Sequence, residues 1–293
     1  MEGKVCVITG ANAGIGYETA LALAKMQAEV IIISRDTERV NATIEKIKEL
    51  SGNKHVEGVV MDLSAQKEIK REAKLILNKK NKIDVLINNA GTWYSNLTYT
   101  DENIEMQFAV NHLAYFYLTH LLLPALVNSD DPRIINVGSD SHINGKIHFN
   151  DINLTKKYHG LRAYAQSKLA NILFTYEFDR RKPLEKISVN CLQPGLVKTN
   201  IGLKHTVALH GLAWKLRRLR GVTPAEGAET SIYLASSDEV KGVSGKYWDK
   251  CRVKKSSKRS YIKEDAQRLW LLSEKLCDID DYFSGINSLE EPL

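Results

Sequence analysis

Residues 4–16 read KVCVITGANAGIG, a short apolar run followed by three glycines within seven residues. A continuous apolar run of this length is typical of a strand that is buried on both faces. Residues 17–27 carry alanine and leucine at helical spacing, so the glycines form a turn between a strand and a helix. Glycine lets backbone N–H groups approach a phosphate closely, and a helix N-terminus favours negative charge. The turn therefore predicts a dinucleotide-binding site, with a tight turn that binds nothing as the alternative.

Strand and helix patterns alternate along the rest of the chain. Further strands are predicted over residues 29–34, 55–62, 82–88, 133–137, 187–192 and 242–248. Helices are predicted over residues 36–50, 102–127, 163–180, 223–235 and 267–277. A further predicted helix follows the strand 55–62 and extends to about residue 79. Such alternation requires parallel strands joined by right-handed crossovers. We predict an α/β fold with one Rossmann-type domain, residues 1–278, built on a doubly wound parallel sheet of about seven strands with helices on both faces. A polar, frayed tail is expected over residues 279–293.

The composition excludes several classes of protein. The chain has 293 residues, of which 43% are hydrophobic and 26% charged, with 41 Lys and Arg against 35 Asp and Glu. This is too apolar for a disordered chain, and four scattered cysteines do not make a disulfide scaffold. The longest apolar run, residues 121–127, is too short to cross a bilayer. Because the first strand begins at residue 4, we expect no signal peptide or transmembrane anchor and a cytoplasmic location.

The positive charge is concentrated near the C-terminus. Residues 246–263, called here the basic segment, hold eight lysines and arginines against one aspartate, so the rest of the chain is close to neutral. A second basic group, Lys215–Arg220, lies in a stretch where apolar and basic residues alternate, residues 201–222. Peripheral contact with an anionic membrane surface is one interpretation, and a solvated loop is the other. Because aromatic residues are sparse in the basic segment, we expect no nucleic-acid partner.

The end of the second predicted strand bears on the choice of cofactor. An acidic residue at this place suits a free ribose 2′-hydroxyl, whereas a basic residue suits a 2′-phosphate. Ser34 occupies the place of the acid and Arg35 follows it, which favours NADP(H) over NAD(H). Asp36 weakens this preference, because its carboxylate could neutralise Arg35.

Tyr164 and Lys168 form a candidate acid/base pair. A spacing of four residues on a helix places both side chains on one face. Free tyrosine has a pKa of about 10, and a nearby ammonium favours the phenolate. The pair could therefore exchange a proton with a substrate near neutral pH. A surface pair without function is the alternative when the motif is taken alone.

Taken together, the motifs resemble the short-chain dehydrogenase/reductase family over nearly the whole chain. They are Thr9-Gly10-x-x-x-Gly14-x-Gly16, Asn88-Asn89-Ala90-Gly91, Asn111, Ser139, Tyr164-x-x-x-Lys168 and Pro194-Gly195. Within the family the chain is most similar to the retinol dehydrogenase-like group. The stretches that carry this similarity are residues 110–113, 135–139, 146–151 and 164–174.

The resemblance implies four catalytic residues. Tyr164 would exchange the proton with the carbonyl or alcohol oxygen, and Lys168 would bind the nicotinamide ribose and keep the phenol pKa low. Ser139 would orient the substrate oxygen, with Ser141 as a second candidate. Asn111 would hold a water that links Lys168 to solvent.

The resemblance also implies the cofactor-binding residues. Besides Ser34, Arg35, Tyr164 and Lys168 they are Gly10, Asn12, Ala13, Gly14, Ile15, Gly16, Asp62, Leu63, Asn89, Ala90, Gly91, Pro194, Gly195, Val197 and Thr199. Asp62 and Leu63 would flank the adenine, and residues 194–199 would contact the nicotinamide end. No metal is expected, because the histidines do not cluster with cysteine or acidic residues at ligand spacing.

The expected function is an NADP(H)-dependent oxidoreductase that acts on a carbonyl/alcohol pair. A small lipophilic aldehyde or ketone, retinal-like, is the favoured substrate, and reduction is the expected direction. A non-catalytic NADP(H) sensor and a reductase held at an anionic membrane by its basic residues are the alternatives. Members of the family commonly form dimers through the helices that contain Asn111 and Tyr164, so a homodimer is left open.

Overall fold

A sheet of eight strands forms the middle layer of the protein. The computed structural model describes residues 1–198 and 221–287. The strands are β1 Val5–Thr9, β2 Glu29–Ser34, β3 Val56–Val60, β4 Val85–Asn88, β5 Arg133–Val137, β6 Ser188–Gln193, β7 Lys246–Asp249 and β8 Arg252–Lys254. Their order is β3-β2-β1-β4-β5-β6-β7-β8, and every neighbouring pair is parallel except β7 and β8. The α/β doubly wound fold predicted from the sequence is confirmed.

Helices cover both faces of this sheet. They are α1 Gly14–Lys25, α2 Thr37–Ser51, α3 Gln66–Lys79, α4 Met106–Phe108, α5 Ala114–Leu126, α6 Gly160–Arg181, α7 Pro224–Ser236, α8 Lys263–Leu276 and α9 Ser284–Asn287. None of the helices within residues 1–198 and 221–287 is long and apolar enough to cross a bilayer.

The two faces of the sheet bury separate apolar cores. On β1, Val5 and Val7 belong to one core, while Cys6 and Ile8 belong to the other. Every side chain of this strand is therefore buried, which explains why its sequence is apolar without alternation. The strands that follow β1 in the chain are added on one side of it, and those that follow β4 are added on the other side. The loops at the carboxyl ends of β1 and β4 therefore lead away from each other. In an open α/β sheet, ligands bind in the crevice between such loops.

The helix predicted over residues 102–127 begins later than expected and is not regular. Glu105 accepts a hydrogen bond from the amide of Phe108 and begins α4. Residues Ala109–Leu113 then form a π turn before α5. Single π turns inside helices often mark functional positions, and this one contains Asn111.

The basic segment begins in the predicted last strand and is also structured beyond it, contrary to its interpretation as a solvated loop. It forms β7, the antiparallel strand β8 and a 3-10 turn, Lys258–Tyr261, so the sheet has one strand more than the seven predicted. The turn between β7 and β8 has positive φ at both central residues, 50° at Lys250 and 57° at Cys251. Hairpin turns of this kind are ordinarily recognised by Asn or Gly. Neither residue is present here, so the sequence carried no hairpin signal.

The expected frayed tail is wrong for residues 279–287. Tyr282 and Ile286 are 1% and 2% exposed and belong to the core between α5 and α6. The Tyr282 hydroxyl donates to the carbonyl of Phe116 at 2.8 Å, and the two rings lie 4.5 Å apart between centroids. The polar composition of the tail concealed these apolar anchors. Together with α8, this segment covers part of the α5–α6 surface. Residues 199–220, which include the basic group Lys215–Arg220, and residues 288–293 lie outside the described residues.

Candidate active site

The glycine-rich turn after β1 allows close approach of the backbone. Gly10 and Gly14 have φ values of +67° and +60°, a region that favours glycine. A Cβ on Gly10 would lie 2.8 Å from the Cα of Ala90, and one on Gly16 would lie 2.5 Å from the carbonyl oxygen of Gly10. The fold therefore requires glycine at both positions.

Thr9 holds the loops after β1 and β4 together. Its hydroxyl oxygen accepts hydrogen bonds from the amides of Asn89 and Ala90 at 2.9 and 3.0 Å. In return, the side-chain amide of Asn89 donates to the carbonyl of Thr9 at 2.8 Å. These bonds fix the base of the crevice.

A cleft of about 680 Å³ lies beside this turn. The predicted cofactor residues that line it are Gly10, Asn12, Ala13, Gly14, Ile15, Gly16, Ser34, Arg35, Asp62, Leu63, Asn89, Ala90 and Gly91. Lys198, within the predicted stretch 194–199, also lines it, and sequence reasoning missed Ile33, Asp36, Arg39, Met61, Thr92, Tyr94, Met106, Val110 and Pro224. Several of these directly neighbour predicted residues, so extending each motif by a few positions would have found them. Glycines where a Cβ would clash, together with the N-terminus of α1, fit a dinucleotide cofactor.

The charges at the end of β2 are arranged in favour of an anion. Asp36 caps α2, because its carboxylate accepts from the amide of Arg39 at 3.0 Å. The same carboxylate pairs with the Arg39 guanidinium at 3.3 Å. Arg35 is exposed, lines the cleft and forms no ion pair with the residues that the structure describes. Asp36 is thus engaged with Arg39 rather than with Arg35.

Lys168 is a buried cation. Its side chain is held on α6, and its Nζ donates to the carbonyl oxygen of Val137 at 2.8 Å. Nζ also lies 5.6 Å from the centre of the Tyr115 ring and 5.7 Å from the centre of the Tyr164 ring. At these distances the faces of both rings attract a cation. Burial lowers the pKa of Lys168 to about 8, because an ammonium loses its hydration there.

Tyr164 lies beside the cleft rather than in its lining. It is partly buried, and its ring meets the Trp93 ring edge-on at 5.9 Å between centroids. Trp93 stands between Thr92 and Tyr94, both of which line the cleft. Lys168 is likewise absent from the lining. The loop after β4 therefore places the Tyr164–Lys168 pair next to one end of the cleft.

Asn111 connects this loop to α6. It is fully buried in the π turn, and its side-chain oxygen accepts from the amide of Thr92 at 2.7 Å. Its side-chain nitrogen donates to the carbonyl of Thr92 and to the hydroxyl of Ser167, at 3.1 and 3.0 Å. Ser167 lies between Tyr164 and Lys168 on α6. Asn111 thus fixes the position of both, and its part in holding a water stays a prediction.

Ser139 and Ser141 lie together after β5. Ser139 begins a 3-10 turn, Asp140–Asn144, by accepting from the amide of Ser141 at 3.1 Å. Its hydroxyl donates to that of Ser141 at 3.2 Å. The bond between Lys168 and Val137, two residues before Ser139, brings this segment next to the Tyr164–Lys168 pair. Both serines remain candidates for the same role.

The remaining predicted residues follow β6, and those that the structure describes, Pro194, Gly195 and Val197, do not line the cleft. Gly195 has a φ of +80°, and Val197 forms an isolated parallel bridge with Val222. Thr199 lies outside the described residues. Lys198, which belongs to the predicted stretch 194–199, lines the cleft, as does Pro224, which was not predicted.

Comparison with known proteins agrees with this geometry. The family model described as short chain dehydrogenase matches residues 4–207. Retinol dehydrogenase 13 from Homo sapiens is 40% identical over 287 residues, which cover 96% of this chain and 86% of that protein. Retinol dehydrogenase 14 from Mus musculus is 37% identical over 295 residues, covering 95% of this chain and 87% of that protein.

Two solved structures share the fold. An uncharacterized protein from Mycobacterium paratuberculosis superimposes with a TM-score of 0.76 at 31% identity, over 95% of this chain and 94% of that chain. A short chain dehydrogenase from Shigella flexneri, solved in complex with NADP, has a TM-score of 0.68 at 22% identity, over 86% of this chain and 98% of that chain. At this identity the second likeness concerns the fold alone.

Proposed function

The chain belongs to the short-chain dehydrogenase family, and on that premise we propose that it is an NADP(H)-dependent oxidoreductase acting on the carbonyl/alcohol pair of a hydrophobic substrate. The observation that carries the proposal is the buried ammonium of Lys168, 5.7 Å from the centre of the Tyr164 ring and beside a glycine-lined cleft. A bound nicotinamide supplies or accepts the hydride. The residues of this chain hold the cofactor, orient the substrate and move a proton.

The proton moves at the hydroxyl oxygen of Tyr164. In reduction this phenol gives its proton to the substrate oxygen, and the nearby Lys168 ammonium stabilises the phenolate that is left. The hydroxyl of Ser139, or of Ser141, donates a hydrogen bond to the same substrate oxygen and orients it. Asn111 holds the loop and the helix that position the pair.

Arg35 supports the preference for NADP(H). Its guanidinium is free of Asp36, because Asp36 caps α2 and pairs with Arg39. A guanidinium can bind a 2′-phosphate with two parallel, charge-assisted hydrogen bonds. A free ribose 2′-hydroxyl carries no negative charge with which the guanidinium could pair. Ser34 leaves room for the larger group.

The substrate proposal rests on the named relatives and on the loop beside the cleft. Both relatives are named retinol dehydrogenases, enzymes of a lipophilic alcohol. Tyr94 and Met106 line the cleft with apolar atoms, and the buried ring of Trp93, next to Tyr94 in the loop, packs against the ring of Tyr164. A hydrophobic aldehyde or ketone therefore fits better than a polar metabolite.

A peripheral contact with an anionic membrane is a second proposal. All eight basic residues of the basic segment are exposed, as are Val253 and Tyr261, at 57% and 52%. Lys254 is partly neutralised by Asp249 at 2.9 Å. Exposed lysines near apolar side chains are attracted to anionic headgroups. Salt-dependent sedimentation with phosphatidylserine vesicles, without binding to duplex DNA, would support it.

A turnover assay of the wild-type protein tests the proposed function. NADPH absorbance is followed with a series of aldehydes and ketones of increasing apolar length, in parallel with NADH. We expect turnover with the apolar carbonyls and a higher kcat/KM with NADPH. Tight NADPH binding with no turnover on any carbonyl would instead indicate a non-catalytic sensor.

A further inference from the structure

His142 links the segment of the candidate serine to the basic segment. Its Nδ1 lies 2.7 Å from the carbonyl oxygen of Ser139, and its Nε2 lies 3.0 Å from the amide nitrogen of Ser257. The imidazole is 1% exposed and stands edge-on to the ring of Tyr247 at 5.0 Å. One buried side chain thus spans two segments 115 residues apart.

The partners fix the form of the imidazole. A backbone N–H can only donate, so Nε2 must offer its lone pair to Ser257. Nδ1 then carries the proton and donates it to the carbonyl of Ser139. Burial lowers the pKa of His142, and of its charged neighbours Asp140 raises it while Lys254 lowers it. The neutral imidazole can make both hydrogen bonds, to Ser139 and to Ser257.

Two other contacts join the basic segment to the 3-10 turn that contains His142 and to the glycine that follows it. The hydroxyl of Tyr247 donates to Asp140 at 3.1 Å, and the guanidinium of Arg259 donates to the carbonyl of Gly145 at 2.7 Å. These contacts lie at the two ends of Asp140–Asn144, with His142 between them. The basic segment therefore contacts the segment that follows β5 at three positions, Asp140, His142 and Gly145.

We propose that His142 is a positioning residue, which holds the main chain of Ser139 in place because the amide of Ser257 holds its imidazole. The inference rests on the proposed role of Ser139 in orienting the substrate oxygen. It gives the basic segment a part in activity that is separate from its charge. A small misplacement of such a hydroxyl is enough to lower the rate of the chemical step.

Ser257 offers a test that leaves the imidazole intact. Its φ is −66°, the value that proline adopts, and its hydroxyl has no hydrogen-bond partner among the described residues. Ser257→Pro therefore removes the N–H that donates to His142, while Ser257→Ala keeps it and serves as the matched control. His142→Phe is a second variant, which retains a ring against Tyr247 and loses both hydrogen bonds.

The readouts are kcat and the KM for NADPH, measured on the full chain with an aldehyde that the wild type reduces. We expect Ser257→Pro and His142→Phe to lower kcat by about tenfold to 100-fold with an unchanged KM for NADPH, because neither residue lines the cleft. Ser257→Ala should match the wild type. Wild-type kcat in both variants would overturn the inference.

Ser139→Ala separates this inference from the proposed function. If Ser139→Ala loses activity and Ser257→Pro does not, the proposed function stands and the positioning role of His142 is wrong. If Ser139→Ala retains wild-type kcat, the role of Ser139 is wrong and the inference fails with it.

Discussion

The Nζ of Lys168 donates a hydrogen bond of 2.8 Å to the carbonyl oxygen of Val137, the last residue of β5. This bond joins α6 to the strand that leads into Ser139. Lys168 is 2% exposed, and it forms no ion pair with a carboxylate among residues 1–198 and 221–287. A buried cation without a counter-charge costs stability. Its presence at this position is therefore better explained by chemistry than by folding.

Replacement of Lys168 by methionine should separate stability from activity. We expect Lys168→Met to lose turnover and to remain as stable as the wild type, or more so, at neutral pH. The variant avoids burying an ammonium, although the carbonyl of Val137 loses its shorter hydrogen bond and keeps the one from the Asn171 side chain at 3.5 Å, at a cost of about 1 kcal/mol. Urea unfolding and the NADPH assay measure the two effects.

The pH dependence of stability gives the sharper form of this prediction. The folded protein releases the Lys168 proton near pH 8, whereas the unfolded chain holds it to about 10.5. Between these values the unfolded state binds more protons, so rising pH stabilises the wild type relative to Lys168→Met, by up to about 3 kcal/mol. If the free energies of unfolding of wild type and variant change in parallel with pH across this range, burial does not lower the pKa of Lys168. The exposed Lys25→Met should follow the wild type.

Arg35 should set the preference between the two cofactors. We expect Arg35→Ala to raise the Kd for NADPH by about tenfold to 100-fold, the value of a charge-assisted hydrogen bond, and to leave the Kd for NADH unchanged. Arg39→Ala should have a smaller effect, because Arg39 is paired with Asp36. Fluorescence titration measures both constants. Equal weakening of the two cofactors would show that Arg35 does not recognise the 2′-phosphate.

Tyr282 should be an anchor of the fold. Because its ring is 1% exposed and packs against Phe116 and Trp270, Tyr282→Ala should lower the free energy of unfolding by about 3 kcal/mol or more. Leu271→Ala, at a position 59% exposed on α8, is the matched control and should change stability little. Urea unfolding compares the two. A free energy of unfolding for Tyr282→Ala equal to that of the control would mean that the C-terminal segment does not dock.

Much of the site could be predicted because its residues obey local rules. The apolar run of β1 and the glycines at residues 10, 14 and 16 locate the turn, since a Cβ would clash at residues 10 and 16. Helical spacing places Tyr164 and Lys168 on one face of α6. These patterns can each be read within a few residues of sequence, although the atom that excludes a Cβ at Gly10 belongs to Ala90, which is distant in sequence.

The features that escaped prediction depend on distant parts of the chain. The hairpin at Lys250 and Cys251 has positive φ values without glycine, and Tyr282 is buried only because α5 and α6 leave space for it. Trp93 contacts Tyr164 across 71 residues of sequence, and His142 reaches Ser257 in the same way. Local patterns contain no signal for such contacts.

The central claim is that Tyr164 exchanges the proton in carbonyl reduction, and Tyr164→Phe tests it most directly. The phenylalanine keeps a ring against Trp93 and under the Lys168 ammonium and lacks only the hydroxyl, so folding and NADPH affinity should be retained. The measurement is kcat for reduction of an apolar aldehyde by wild type and variant at saturating NADPH. We predict a fall of at least about 100-fold, the usual contribution of a positioned acid. A kcat for Tyr164→Phe equal to that of the wild type would contradict this role.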